Sequence, residues 1–221
     1  MILKNYFWGV SKAFTSEEIE EIHTIASKIN EDIGKVGEGV SSDPDGNIDE
    51  KFREEIRSST VKWMERLPDH LENKMSELMF RCLDETGWRF TIDEHQPFQY
   101  TIYNAQPQKP KGDFYTWHTD AGPLPYKDGR IRKLSMTIQL SDPEEYEGGY
   151  FQWLVPNQIF DRLELNQTKV DLTNAISTTP FSMKEKGSIL FFPSFLYHQV
   201  TPVTWGTRKS LVGWMIGQPY V

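Results

Sequence analysis

The chain has 221 residues, of which 38% are hydrophobic and 13% aromatic, and its formal net charge is −8. This length and composition predict one domain with a substantial core, and the charge disfavours broad, nonspecific binding of nucleic acid. No run of about eighteen apolar residues occurs, so no membrane span is expected. A single cysteine and an N-terminus without a signal-peptide pattern favour a cytoplasmic location.

The first part of the chain predicts helices. Thr15 and Glu18 have the spacing of a capping box, and the residues that follow place apolar side chains on one helical face. A short helix is expected around residues 59–66. A longer helix is expected from Pro68 to Thr86, with Pro68 in its first turn and Gly87 as its stop.

From Phe98 onward the apolar pattern changes to a period of two, which predicts strands. The predicted strands are Phe98–Tyr103, Phe114–Asp120, Lys133–Leu140, Tyr150–Leu154, Thr168–Leu172, Ser188–Phe192, His198–Val200 and Arg208–Ile216. Many short strands separated by turn signals indicate a closed antiparallel sandwich. The polar segments Gly34–Glu50 and Asn104–Gly112 are predicted to be mobile loops that border a site.

Three residues on or beside the predicted strands can form a metal site. His118 and Asp120 are two residues apart, so on a strand they point to the same face. His198, which follows a buried strand, is the best candidate for a third ligand. Two histidines and one carboxylate are the donor set of non-haem Fe(II) oxygenases. A His-x-Asp pair alone is common in proteins without a metal, so the interpretation depends on further features.

The further feature is Arg208, which precedes the last apolar strand. An arginine directed into a barrel has a high burial cost unless an anion meets it. Together with His118, Asp120 and His198, Arg208 forms a motif set that resembles the 2-oxoglutarate and Fe(II)-dependent oxygenases. The resemblance is in particular to the prolyl-4-hydroxylase-like branch with its bacterial and phage relatives. The resemblance runs from about residue 98 to residue 216, and it includes Gly148 and Gly149, where the family carries a Gly-Gly turn.

The resemblance implies the ligands. Fe(II) would be held by the catalytic residues His118, Asp120 and His198. The cosubstrates would be 2-oxoglutarate and O2, and ascorbate is included among the cofactors to be tested. The far carboxylate of 2-oxoglutarate would be bound by three residues on the barrel strands: Arg208, Ser210 and Tyr103. Tyr100 is the alternative to Tyr103.

The resemblance also implies the fold. We expect a mainly β fold with flanking α-helices, a cupin-like double-stranded β-helix or jelly roll. Residues 1–221 are expected to form a single oxygenase domain, with residues 1–96 as helical support outside the barrel and residues 97–217 as the barrel core.

The substrate is the least constrained feature. The predicted barrel mouth carries basic residues that favour an anionic or acidic partner, or that form an ordinary solvated face: Lys109, Lys111, Lys127, Arg130, Arg132 and Lys133. Aromatic residues there can line a cleft for an extended peptide: Tyr115, Trp117 and Tyr126. Three functions compete: a prolyl hydroxylase-like enzyme acting on a peptide or protein side chain, a small-molecule oxygenase of the same chemistry, and a non-catalytic cupin-like binding protein.

Overall fold

Two antiparallel sheets build the protein, for which a computed structural model describes residues 5–33, 56–106, 111–155 and 175–220. The larger sheet has the order β1 (Trp8–Val10), β12 (Ile189–Pro193), β8 (Ile131–Gln139), β14 (Val203–Gly217), β6 (Phe98–Asn104), β4 (Thr60–Met64) and β2 (Asp32–Ile33), with β5 (Glu94–His95) and β9 (Tyr146–Gly148) also paired to β14. The smaller sheet has the order β11 (Ile176–Thr178), β10 (Phe151–Leu154), β13 (His198–Val200), β7 (Phe114–His118) and β3 (Arg57–Ser58). The fold is a jelly roll, which confirms the predicted fold class.

Apolar side chains form a cluster on each side of the larger sheet. The outer cluster joins the sheet to helices α1 (Ser16–Ser27) and α2 (Asp69–Thr86), and it includes Leu211 of β14. The inner cluster lies between the sheets and includes Tyr103 of β6 and Phe192 of β12. Because successive residues of a strand point to opposite faces, the same strands supply both clusters.

Helix α1 begins as the sequence predicts. The backbone N–H of Glu18 donates to the hydroxyl of Thr15 at 3.3 Å, and the backbone N–H of Thr15 donates to the carboxylate of Glu18 at 2.7 Å. These two hydrogen bonds confirm the capping box. Ile19, Ile22 and Ala26 are buried in the outer cluster, so the helix packs outside the barrel.

Helix α2 differs from the prediction only at its start. Pro68 has a ψ of 141°, which makes it the N-cap rather than a residue of the first turn. The helix ends at Gly87, whose φ of +70° lies in the left-handed region that glycine adopts without a steric penalty. Cys82 is buried in the outer cluster, and burial raises the pKa of its thiol to about 12. It is therefore a core residue rather than a reactive thiol.

The helix expected around residues 59–66 is wrong, because Thr60–Met64 forms strand β4. This strand pairs antiparallel with β6, and Val61 lies opposite Thr101. The segment is rich in β-branched and aromatic residues, which favour extended structure once a sheet edge is available. The N-terminal part of the chain therefore contributes strands to both sheets as well as the supporting helices.

Three predicted segments lie wholly or partly outside the described residues. Gly34–Glu50 and Thr168–Leu172 are not described, and Asn104–Gly112 is described only at its two ends. The mobility of the two loops therefore stays a prediction. Within the described ranges, no helix has the length and apolar character needed to cross a bilayer.

Candidate metal centre and anion pocket

The two histidines of the predicted metal set meet because their strands are neighbours in the smaller sheet. Strands β7 and β13 pair antiparallel, with His118 directly opposite His198. Asp120 follows the end of β7, where its backbone N–H donates to the carbonyl of Ser194 at 2.9 Å. The candidate ligand atoms of the three side chains lie within 4.8 Å of one another, a spacing that suits three ligands of one metal ion.

Backbone carbonyls orient both imidazole rings. The Nδ1 atom of His118 lies 2.7 Å from the carbonyl oxygen of Thr116, and Nδ1 of His198 lies 2.8 Å from that of Leu196. A carbonyl oxygen only accepts, so each Nδ1 carries the proton and each Nε2 keeps a free lone pair. The two Nε2 atoms each lie 3.7 Å from a carboxylate oxygen of Asp120, so the lone pairs face the carboxylate.

Burial and neighbouring charges set the protonation states of this cluster. Burial lowers the pKa of His118 to about 3, with His198 adding to the effect. Burial opposes ionisation of Asp120, but attraction to His198 and His118 outweighs it and lowers the pKa of the carboxyl. At neutral pH His118 therefore offers a neutral imidazole and Asp120 a carboxylate, which are the forms that bind metals.

A β-bulge turns a tyrosine toward this cluster. Val200 pairs with Tyr115 while His198 pairs with His118, so β7 spans one residue more than β13 between the two pairs. The rings of Tyr115 and His118 consequently stack, with centroids 3.4 Å apart and planes 13° apart. The guanidinium of Arg57 also lies over the Tyr115 ring, with its Cζ 4.6 Å from the ring centroid. Simple alternation places Tyr115 and His118 on opposite faces, which is why the sequence did not identify this contact.

Arg208 points into the barrel from β14, where it lies opposite Tyr103 of β6. Arg208 is only 4% exposed, and its Cζ lies 5.6 Å from the Tyr103 ring centroid. Its Nη1 is 3.4 Å from the hydroxyl of Ser210, a long hydrogen bond. Among the described residues, no carboxylate lies within ion-pair distance of this guanidinium. The structure therefore brings together the three residues predicted to meet the cosubstrate.

The two candidate tyrosines lie on opposite faces of β6. Tyr100 belongs to the outer cluster, and its hydroxyl is hydrogen-bonded to Nδ1 of His23 at 2.8 Å. Tyr103 belongs to the inner cluster beside Arg208. Of the two, only Tyr103 faces the interior that holds the candidate site.

The Gly-Gly turn makes room for the buried arginine. Gly148 and Gly149 have φ values of +76° and +56°. A Cβ atom on Gly149 would lie 2.8 Å from Cδ of Arg208, so a side chain there would displace the arginine. The glycine pair, which the sequence explains equally well as a hairpin turn, thus also has a packing function inside the barrel.

The basic residues predicted for the barrel mouth do not form one uniform patch. Nη2 of Arg130 is paired with Asp128 at 2.7 Å and with Glu94 at 2.8 Å. Lys133 is buried, and its Nζ lies 3.7 Å from the ring centroid of Tyr220. These two charges are therefore satisfied within the protein, whereas Lys109 lies outside the described residues.

Arg132 is arranged differently from these neighbours. Its Cζ lies 3.9 Å from the ring centroid of Trp214, and its Nε donates to Oε1 of Gln96 at 2.6 Å. Its charge is also among the causes that lower the pKa of Asp120. Trp63 is 40% exposed, and the distance between the ring centroids of Trp63 and Trp214 is 6.0 Å. Arg132 and the exposed Trp63 therefore border a surface near the candidate metal cluster, with the buried Trp214 packed against both.

Comparison with known proteins gives a family match and partial matches to longer proteins. The model of the 2OG-Fe(II) oxygenase superfamily matches residues 98–216. A PKHD-type hydroxylase from Hyphomonas neptunium is 35% identical over 106 residues, which cover 48% of this chain and 38% of that protein. A PKHD-type hydroxylase from Azoarcus is 36% identical over 98 residues, which cover 43% and 34%. The chain thus spans well under half of the length of these curated relatives.

Solved structures share the fold at low sequence identity. A prolyl-4-hydroxylase from Pseudomonas putida superimposes with a TM-score of 0.59 and 14% identity, over 98% of this chain and 95% of that one. A prolyl hydroxylase from Trichoplax adhaerens, in complex with a peptide fragment of the hypoxia inducible factor oxygen degradation domain, gives a TM-score of 0.62 and 16% identity over 96% and 84%. The family match covers more than half of the chain and contains the three clustered residues and Arg208, and so this protein belongs to the 2OG-Fe(II) oxygenase superfamily.

Proposed function

We propose that the protein is an Fe(II)- and 2-oxoglutarate-dependent dioxygenase that hydroxylates a side chain of a peptide or protein. The observation that carries the proposal is the convergence of His118, Asp120 and His198 inside a barrel that also buries Arg208. In the overall reaction a substrate C–H becomes C–OH. One atom of O2 enters the alcohol, and the other enters succinate as 2-oxoglutarate loses CO2.

The clustered side chains suit Fe(II). Neutral imidazole and carboxylate are ligands that this metal accepts, and three of them on one side leave positions for a cosubstrate. Bound there, the metal would supply the redox chemistry that activates oxygen. The carbonyls of Thr116 and Leu196 hold the two rings so that each Nε2 would be available to the ion. The same donors bind Mn(II), Co(II), Ni(II) and Zn(II), so these ions can replace Fe(II) in binding experiments.

Arg208 is assigned to the far carboxylate of 2-oxoglutarate. A guanidinium that is almost fully buried is costly without a counter-anion, and its planar geometry matches a carboxylate through two hydrogen bonds. The hydroxyl of Ser210 accepts from Arg208, which leaves its own proton for the carboxylate. Tyr103 lies on the opposite strand and adds a second hydroxyl donor.

A peptide substrate is supported by the surface beside the metal cluster. Trp63, which is 40% exposed, presents an aromatic ring on which an extended chain can pack, and the buried Trp214 lies beside it. Arg132, next to Trp214, supplies a donor for a substrate carbonyl or carboxylate. The Trichoplax protein of the same fold carries a peptide in its solved structure, which is a property of that protein and a reason to test peptides first.

The test is incubation of the purified protein with Fe(II), 2-oxoglutarate, labelled O2 and a mixed library of peptides and metabolites, analysed by mass spectrometry. We expect succinate and a peptide product that gains one labelled oxygen atom, and Asp120→Ala is the inactive control. A product found only on a free small molecule would move the assignment to a small-molecule oxygenase. Metal and 2-oxoglutarate binding without turnover on any library member would indicate a non-catalytic cupin-like protein.

Three further assignments belong to the same proposal. The chain acts as a single oxygenase domain over residues 1–221, in the cytoplasm, with ascorbate as an auxiliary reductant. Limited proteolysis that yields one resistant fragment containing both sheets would support the single domain. A loss of activity over successive turnovers that ascorbate prevents would support the reductant.

A further inference from the structure

A pocket inside the barrel extends beyond Arg208. It is small and partly open to solvent. The wall contains Arg208 and a second cationic side chain, Lys184, which comes from a short 3-10 helix, Phe181–Lys184. The rest of the wall is apolar over most of its area, and its hydroxyl and amide groups come from five residues: Thr137, Gln139, Tyr146, Thr179 and Ser188.

Tyrosine rings hold the ammonium group of Lys184 at this pocket. Its Nζ lies 4.4 Å from the ring centroid of Tyr150 and 5.1 Å from that of Tyr146. The hydroxyl of Tyr146 accepts a hydrogen bond from Nε2 of Gln139 at 2.8 Å, which fixes the ring. Burial raises the pKa of Tyr146 and the charge of Arg208 opposes that rise, so Tyr146 lies beside both cations.

Both cations line the same pocket, and no carboxylate is among its described lining residues. In the part of the chain that the structure describes, no carboxylate lies within ion-pair distance of Lys184 or of Arg208. Burial lowers the pKa of Lys184, and the charge of Arg208 lowers it further. An anion placed between these groups would offset both their desolvation and their mutual repulsion.

We propose that Lys184 is a cosubstrate-binding residue that, together with Arg208, holds the far carboxylate of 2-oxoglutarate. This inference rests on the proposed function, because it assigns a second cation to the same anion pocket. The competing explanation is that Lys184 packs on Tyr146 and Tyr150 as an ordinary surface lysine. The two explanations differ in what happens to ligand affinity when the charge is removed.

The experiment measures ligand binding by calorimetry with Mn(II)-loaded protein, without oxygen, so it does not depend on turnover. Two ligands are compared: 2-oxoglutarate, and pyruvate, which has the keto acid end and lacks the far carboxylate. The variants are Lys184→Met, which keeps the length of the side chain, Lys184→Gln, and Lys184→Arg, which keeps the charge. The matched control is Lys186→Ala, since Lys186 lies on the same segment and pairs with Glu20 at 3.6 Å.

We expect Lys184→Met and Lys184→Gln to weaken 2-oxoglutarate binding by about tenfold, a loss that corresponds to one partly exposed charge-assisted hydrogen bond. Lys184→Arg should lose less 2-oxoglutarate affinity than either neutral variant, because the charge and a hydrogen-bond donor are kept. Pyruvate affinity should be unchanged in all variants, and Lys186→Ala should bind both ligands normally. Thermal unfolding of each variant checks that the fold is intact.

Several outcomes would overturn the inference. Wild-type affinity for 2-oxoglutarate in Lys184→Met and Lys184→Gln would show that Lys184 does not bind the cosubstrate, while leaving the proposed function in place. An equal loss of pyruvate and 2-oxoglutarate affinity would assign Lys184 a structural role. A wild-type protein that does not bind 2-oxoglutarate in the presence of metal would overturn both the inference and the proposed function.

Discussion

Both faces of the larger sheet carry an apolar cluster, but the inner face also buries charged and polar groups of the candidate site. On the outer face Met136, Ile138 and Leu211 are fully buried against the helices. On the inner face Arg208 and Ser210 are equally well buried but polar. Burial of apolar area stabilises a fold, whereas burial of polar groups costs free energy unless a partner is supplied. The outer face therefore contributes mainly to stability, whereas the inner face combines an apolar cluster with polar groups that are arranged for ligands.

The largest effect is expected from His198→Ala, which removes a candidate metal ligand that the smaller sheet directs toward the inner face of the larger one. Removing one of three ligands should lower Mn(II) affinity by more than about a hundredfold, since even changes next to a metal ligand cost 10–100-fold. Succinate formation should fall to background, while unfolding of the metal-free protein changes little. The control is His70→Ala, an exposed histidine of α2 that pairs with Glu21. Metal affinity that survives in His198→Ala would remove this residue from the site.

Arg208→Ala should affect the cosubstrate and not the metal. Loss of one partner from a buried charge pair costs about 2–5 kcal/mol, so 2-oxoglutarate affinity should fall by at least about thirtyfold. Mn(II) affinity should stay at the wild-type value. Lys209→Ala is the matched control, because Lys209 is the next residue on β14 and faces the other side. Equal 2-oxoglutarate affinity in the Arg208→Ala variant and the wild type would contradict the assignment.

Leu211→Ala should give the reverse pattern. Truncating this fully buried outer residue leaves a cavity and should lower the free energy of unfolding by about 3 kcal/mol. Chemical denaturation measures that loss. At a temperature where the variant is folded, its affinities for Mn(II) and 2-oxoglutarate should match those of the wild type. A variant of normal stability with impaired binding would show that the two faces are not functionally separate.

Acid should destabilise the metal-free protein through His118. Burial lowers the pKa of this histidine from 6.5 to about 3 in the folded state. Between these values the unfolded chain binds a proton that the folded chain does not, so stability falls as the pH is lowered through this window. Urea unfolding at several pH values measures the slope, and His118→Gln should make it shallower. An NMR titration in which folded His118 protonates near pH 6.5 would be inconsistent with this account.

The smallest effect is expected at the edge of the outer layer. Thr15→Ala removes the side-chain half of the capping box and should cost about 1 kcal/mol of stability. Thr15→Ser, which keeps the hydroxyl, serves as the control. Neither variant should alter metal or 2-oxoglutarate binding. A change in either affinity would show that α1 influences the inner face.

Features that depend on local pattern were predictable from the sequence. The capping box at Thr15 and the burial of Cys82 follow from residue spacing within a helix. The clustering of His118, Asp120 and His198 and the burial of Arg208 are also the positions that the sequence predicts, while the roles of these residues stay predictions. These positions could be predicted only from several motifs taken in their order along the chain, since the sequence of one strand does not specify its neighbour in the sheet.

Features that depend on tertiary pairing were not predictable. Residues 60–64 form a strand because the edge of β6 is available, and no short-range signal indicates that edge. Tyr115 reaches His118 through a bulge that breaks the period of two. Lys184 lies on a 3-10 helix without a motif, and only the folded chain places it in the wall of the pocket that Arg208 also lines.

The most direct test of the central claim is the coupling between metal and 2-oxoglutarate binding. If the clustered ligands and Arg208 hold two ends of one cosubstrate, metal should raise 2-oxoglutarate affinity, and 2-oxoglutarate should raise metal affinity by the same factor. Calorimetry with Mn(II) measures both directions of this cycle. We predict strong, reciprocal coupling in the wild type and its loss in Asp120→Ala. Metal and 2-oxoglutarate that bind independently, or a 2-oxoglutarate affinity that does not depend on Asp120, would contradict the account.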